Sequence, residues 1–241
     1  MGSRKARRAR SSRSADVRSG KLVVIEGAEG VGKTTQVRRL CERLAKVAIP
    51  ALCLREPGGT PLGDEIRHLL LDPAGDVTPR AEALLFMASR AQLAERAIVP
   101  ALREGTNVVL DRYFLATYAY QVAGRGLSEA AVRAANAFAT GGLVPDVTLL
   151  LEMPVAEALA RVERRGEPDR LEQSGRDFHQ RVAAAFAAFD DPEWQRQHME
   201  SGPVVRLDAL GSEEDVEGRI RLALAGRWPE TFGVLSESPA Q

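Results

Sequence analysis

The segment IEGAEGVGKTTQ, Ile25–Gln36, joins an apolar strand pattern to a helical one and sets three glycines, a lysine and two threonines at the corner. Gly27 through Thr34 fits the spacing G-x-x-x-x-G-K-[ST] at every fixed position. Glycines at this spacing let the backbone turn so that successive N–H groups converge on phosphate oxygens. A helix starting near Lys33 adds unpaired amide donors and the positive end of its dipole. The residues expected to cradle the phosphates of ATP are therefore Gly27, Ala28, Glu29, Gly30, Val31, Gly32, Lys33, Thr34 and Thr35. Lys33 reaches the β- and γ-phosphates, and the Thr34 hydroxyl is a ligand for Mg²⁺.

Outward from this corner, apolar runs alternate with helical periodicities. Lys21–Glu26, Ala51–Glu56, Asn107–Asp111, Asp146–Glu152 and Pro203–Ala209 read as strands. Lys33–Lys46, Thr78–Glu104, Tyr113–Ala123, Ser128–Thr140, a segment from Pro154 and Ser212–Ala225 read as helices. Apolar strands between helices indicate an α/β fold, a P-loop NTPase three-layer arrangement of a five-stranded parallel sheet with helices on both faces. Arg164–Arg176 is dense in charge and turn formers and reads as a mobile loop. Asp111 ends an apolar strand, where its carboxylate can hold Mg²⁺ through water. A GTPase would need N-K-x-D, yet the only asparagines, Asn107 and Asn136, are not followed by lysine.

The 241 residues suit one domain, read here as 20–227, between a disordered basic tail at 1–19 and a frayed tail at 228–241. Residues 1–18 hold seven Arg or Lys against Asp16 alone, leaving 26 basic and 32 acidic side chains in the remainder. Such a body does not read as a nucleic-acid binder. No apolar run is long enough to span a membrane. Cys41 and Cys53 are in neither metal nor redox spacing, which fits a reducing cytoplasm. Only four lysines accompany 29 arginines, so an arginine cluster is evidence of function only by its position.

Four further segments follow in order: REPGGTPLG (Arg55–Gly63), LLFMASRAQ (Leu84–Gln92), DRYFLATYAYQVAGRGL (Asp111–Leu127) and RRGEPDRLE (Arg164–Glu172). With the phosphate loop, they resemble thymidylate kinase over roughly residues 20–225. The resemblance implies phosphoryl transfer from ATP to dTMP and a homodimer. It implies that Glu56 lies beside the acceptor phosphate and the metal, with Arg55 near it. Phe86 would stack on thymine, Arg90 would bond its O4, and Arg112 would hold the dTMP phosphate. Thr117, Tyr120 and Gln121 would line the base and sugar, and Tyr120 would disfavour a ribose 2′-OH. Arg161, Arg165 and Arg170 would belong to the lid, with Arg165 and Arg170 catalytic beside Lys33, Arg112 and Glu56. Gly30 stands where one branch of the family has an arginine, so this chain resembles the branch with basic lid residues instead. Ala116, Phe114 and Leu115 depart from the more polar residues usual there. On pattern alone Phe86 also suits a core position and Arg90 a surface one. Another nucleotide kinase or an ATP-dependent switch would share the phosphate loop, but the switch leaves the Phe86 and Tyr120 segments unexplained.

Overall fold

A computed structural model describes residues 20–164 and 169–236. The N-terminal tail 1–19, the last residues 237–241 and Arg165 lie outside the described residues. The strands are β1 (Leu22–Glu26), β2 (Ala51–Arg55), β3 (Asn107–Asp111), β4 (Val147–Glu152) and β5 (Val204–Asp208). They form one parallel sheet in the order β2-β3-β1-β4-β5. The helices are α1 (Lys33–Lys46), α2 (Pro61–Leu71), α3 (Pro79–Leu93), α4 (Val99–Arg103), α5 (Phe114–Thr117) and α6 (Glu129–Thr140). Past β4 come α7 (Val155–Glu163), α8 (Arg176–Ala188), α9 (Pro192–Gln197), α10 (Glu213–Arg227) and α11 (Pro229–Phe232).

The two-residue period of the strands divides the core between the faces of the sheet. Leu22, Val24, Val108, Leu110 and Leu150 enter one cluster with Phe114, Tyr118, Phe178 and Phe186. Val23, Ile25, Val109, Leu149 and Leu151 enter the other with Val37, Leu40 and Ile220. β1 is buried along its whole length between β3 and β4. Connections diverge to either side of it, so the crevice beyond its carboxyl end is where a ligand fits such a sheet.

Two helical stretches widen locally. Residues 94–98 form a π-turn before α4, which carries Pro100 in its first turn. The wider turn lets the chain continue past the missing proline amide without a break. Residues 118–124 form a second π-turn, closed by the Arg125 amide donating to the Tyr120 carbonyl at 2.9 Å. It carries Tyr120 and Gln121.

Two sequence expectations are corrected. The chain does not fray after Arg227: α11 and the 3₁₀ turn Gly233–Ser236 return to the sheet, burying Phe232 and Leu235 to 1% exposure. Cys41 and Cys53 are not separate thiols but a disulfide joining α1 to β2, with Cα atoms 6.4 Å apart. β2 returns beside α1, so the pairing is set by tertiary contact that a twelve-residue spacing does not reveal. Two helices were unread in the sequence: α2, which brings Arg67 and Leu71 to the cleft, and α8, which packs on residues 118–124.

Phe232→Ala is expected to destabilise the protein by about 3–5 kcal/mol, the usual cost of emptying a buried aromatic site. Chemical denaturation of the variant measures this, and a loss under about 1 kcal/mol would show that the segment after Arg227 contributes little.

Candidate active site

The phosphate loop closes between β1 and α1 on constrained backbone. Gly27 has φ +144°, and a Cβ there would lie 2.4 Å from the Leu151 carbonyl oxygen. Gly30 has φ +77°, and its Cβ would lie 2.2 Å from the Ala158 carbonyl oxygen of α7. A side chain at either position would force the loop away from its neighbour. No side chain caps α1, which leaves its first-turn amides open to a ligand. Lys33 is buried and donates from Nζ to the Ala28 carbonyl at 2.6 Å. Burial, then the neighbouring Arg112, lowers its pKa to about 7, against the opposing pull of Asp111, Glu26 and Glu29.

Across the loop, the Thr34 hydroxyl donates to Asp111 Oδ2 at 2.6 Å. Two hard oxygen donors thus meet at the phosphate-binding corner, a donor set that suits Mg²⁺. Arg112 follows at φ +71°, rare for a non-glycine residue. Its guanidinium donates over long distances, to the Gly27 carbonyl at 3.3 Å and the Tyr120 hydroxyl at 3.4 Å. Tyr120 in turn donates to Glu29 Oε1 at 3.0 Å. Burial pushes the Tyr120 hydroxyl well above its ordinary pKa, keeping it a neutral donor.

Arg90 forms the opposite wall and is buried, not a surface arginine. Its Nε donates to Glu56, Nη1 to Asn136, and Nη2 to the Tyr113 carbonyl at 3.0 Å and Thr117 Oγ1 at 2.9 Å. Of five guanidinium N–H groups, four therefore have partners among the described residues, and one on Nη1 has none there. Burial raises the Glu56 pKa, and the Arg90 charge opposes it. Phe86 precedes Arg90 by four residues, so α3 presents both on one side. Phe86 is half-buried and lines the cleft rather than joining either core. The cleft, about 640 Å³, runs from the loop residues Glu29–Gln36 past Arg112 to Phe86, Arg90, Thr117, Tyr120 and Gln121.

A family model for thymidylate kinase matches residues 25–208. The chain belongs to the thymidylate kinase family. It is 45% identical over 208 residues to a thymidylate kinase of Deinococcus radiodurans, covering 86% of this chain and 98% of the relative. A thymidylate kinase of Carboxydothermus hydrogenoformans is 49% identical over 167 residues, covering 69% and 82% of the two chains. One from a Synechococcus strain is 46% identical over 218 residues, covering 86% of this chain and all of the relative.

As a thymidylate kinase family cleft, the site gathers most of the residues the sequence singled out, but not Arg170. Arg170 donates to the Leu70 carbonyl at 2.8 Å and to Glu82 Oε2 at 2.8 Å. The same carboxylate, fully buried, accepts from Arg125 and from Gln121 Nε2. Glu82 thereby draws Arg170 to the side of α2 and α3, away from the phosphate loop. Arg161 does line the cleft, and Arg55, exposed, lines it beside its ion pair with Asp64. Sequence reasoning missed Arg67, Asp169 and Glu172, which also line it. Ile66 and Leu70, four apart, were the signal for α2; without that helix Arg67 had no place in the site.

Lys33, with a pKa near 7, must be protonated to hold a polyanion. Below pH 7 it already is, so affinity for ATP is expected to be flat there as far as Lys33 is concerned. Above pH 7 the Kd should rise, by up to about tenfold per pH unit, as binding takes up a proton. Calorimetry at pH 8 in buffers of different ionisation enthalpy measures this uptake, because the terminal phosphate of ATP is already ionised there. No proton uptake would show that Lys33 is already charged in the free protein.

Proposed function

We propose that the protein transfers the terminal phosphoryl group of ATP to dTMP, giving ADP and dTDP. The observation that carries this reading is the cleft itself. A phosphate loop with its lysine faces an arginine with one N–H unpartnered among the described residues, one turn from a cleft-lining phenylalanine. Gly27–Thr35 hold the donor phosphates, and Lys33 offsets their charge. Thr34 and Asp111 would hold Mg²⁺, which when bound neutralises charge on the phosphates. Arg112, loosely tied in the free protein, exchanges its long bonds for the dTMP phosphate. Phe86 stacks on thymine while the remaining Arg90 N–H meets O4. Thr117 and Gln121 close the base side, and Tyr120 stands against the sugar. Glu56 fixes the Arg90 guanidinium, with Arg55 at the rim.

The nucleophile is a phosphate oxygen whose second ionisation lies near pH 6, so no strong general base is needed. The task is to bring two polyanions into line. Lys33, Arg112 and Arg161 supply positive charge for this. Arg165 is assigned to the lid on the resemblance alone. Arg170, held by Glu82, secures the segment after α7 rather than contacting the phosphates. The steric exclusion of any side chain at Gly30 by Ala158 supports placing the chain in the branch with glycine there.

We also infer a homodimer. The adjacent helices α2, α3 and α6 expose Leu62, Leu69, Leu84 and Phe138, the last 92% accessible. Phe138→Asp is expected to shift the protein to monomer in sedimentation velocity, and an unchanged dimer would move the interface elsewhere. No helix of the described residues is long and apolar enough to cross a membrane. The cytoplasm, where ATP and deoxynucleotides meet, is the proposed location, on the nucleotide chemistry and not on the cysteines, whose disulfide is uncommon there.

ADP production should depend on added dTMP. Phe86→Ala should weaken dTMP binding about 5- to 150-fold, the range of one base–aromatic stack, with ATP binding nearly unchanged. A coupled assay and separate calorimetric titrations of each nucleotide test both. ADP release without an acceptor would instead favour the ATP-dependent switch.

A further inference from the structure

Glu26 is the last residue of β1, immediately before the phosphate loop, and it is fully buried. It does not line the cleft. Its Oε1 accepts from the Tyr113 amide at 2.6 Å and from the Ala116 amide at 3.0 Å. Its Oε2 has no partner among the described residues. Two backbone amides on the far side of the β3 turn therefore set the orientation of this carboxyl group, and it fixes theirs.

Between β3 and those amides lies Arg112, whose φ of +71° a non-glycine residue keeps only where its surroundings enforce it. The Arg112 amide donates to the Ile25 carbonyl at 3.1 Å. The turn is thus held on both sides, by Ile25 through backbone and by Glu26 through side chain. Among the described residues the Arg112 guanidinium makes two long hydrogen bonds and lies 5.2 Å from the centre of the Tyr120 ring. What aims it into the cleft is the turn rather than its own bonds.

We propose that Glu26 is a positioning residue for Arg112: it locks the turn that presents the guanidinium to the acceptor phosphate, without touching substrate itself. The inference rests on the reading of Arg112 as the acceptor-phosphate residue. The required property is reach, because the two amides are met by one oxygen at the end of a glutamate-length side chain. Burial pushes the Glu26 carboxyl above its ordinary pKa, with Arg112 and the two amides opposing. That is consistent with a role that does not depend on a permanent charge.

Three substitutions separate reach from charge. Glu26→Gln keeps an oxygen at the same distance, Glu26→Asp keeps the charge one methylene short, and Glu26→Ala keeps neither. Melting temperature is measured first, then Kd for dTMP and for ATP by calorimetry, then kcat, with Arg112→Ala alongside. The expected result is a loss of dTMP affinity of about tenfold or more in the Ala and Asp variants, from two forfeited hydrogen bonds. ATP affinity should change less than about threefold, and Gln should restore dTMP binding to within about threefold. If Asp binds dTMP normally and Gln does not, charge and not reach is what matters and the inference fails. Equal losses for both nucleotides, or a folded Ala variant with unchanged dTMP affinity, also overturn it while Arg112→Ala loses dTMP binding. If Arg112→Ala itself leaves dTMP binding intact, the Arg112 reading falls and takes the inference with it.

Discussion

The pairing of β1 with β3 governs the rest of the site. The strands run parallel with Ile25 opposite Asp111, so the chain leaves both at the same height and on the same edge of the sheet. Glu26 and Gly27 then face Arg112 and Tyr113 across the crevice. One register brings together the glycine loop, the carboxylate that meets Thr34, and Arg112 at the wall of the cleft. A slip of one residue would turn Asp111 from the cleft and Val108 and Leu110 out of their core. The apolar alternation in β1, β3 and β4 that fills both cores therefore also fixes the catalytic geometry.

Charge is held in check around that junction. Lys33 and Arg112 are buried close enough to disfavour each other, and Glu26, Glu29 and Asp111 offset them. In the free protein the cations rest on neutral oxygens: Lys33 on the Ala28 carbonyl, Arg112 on the Gly27 carbonyl and the Tyr120 hydroxyl. These contacts are ones that phosphate oxygens can replace with stronger, charge-assisted bonds. Arg90 differs, since all but one of its N–H groups are committed to protein partners. Its orientation is set by the protein, whereas Lys33 and Arg112 are held by fewer hydrogen bonds.

The five strands and the phosphate loop were legible because each is a local pattern: an apolar run, a helical period, a fixed spacing of Gly, Lys and Thr. Phe86 and Arg90 were singled out by the resemblance of the segment Leu84–Gln92, and both line the cleft. Other features depend on contacts between distant segments. The fate of Arg170 depends on Glu82, 88 residues away. The Cys41–Cys53 pairing depends on β2 returning beside α1. Residues 228–236 are too short and too broken by Pro229 and Gly233 to show a period, yet Phe232 and Leu235 find a place in the core on one face of the sheet that only the packed fold provides. α2 was obscured because the turn cluster before it, Pro57–Thr60, drew the eye from the apolar spacing of Ile66 and Leu70.

The claim at the centre of the account is that one cleft holds both nucleotides, donor against the phosphate loop and acceptor against α3. A crystal structure with a bisubstrate analogue, adenosine joined to thymidine through a chain of phosphates, tests this most directly. The phosphate chain is expected against Lys33 at one end and Arg112 at the other, with thymine on Phe86 and its O4 at Nη1 of Arg90. Thymine bound away from Phe86 and Arg90, or a phosphate chain that bypasses Arg112, would contradict it.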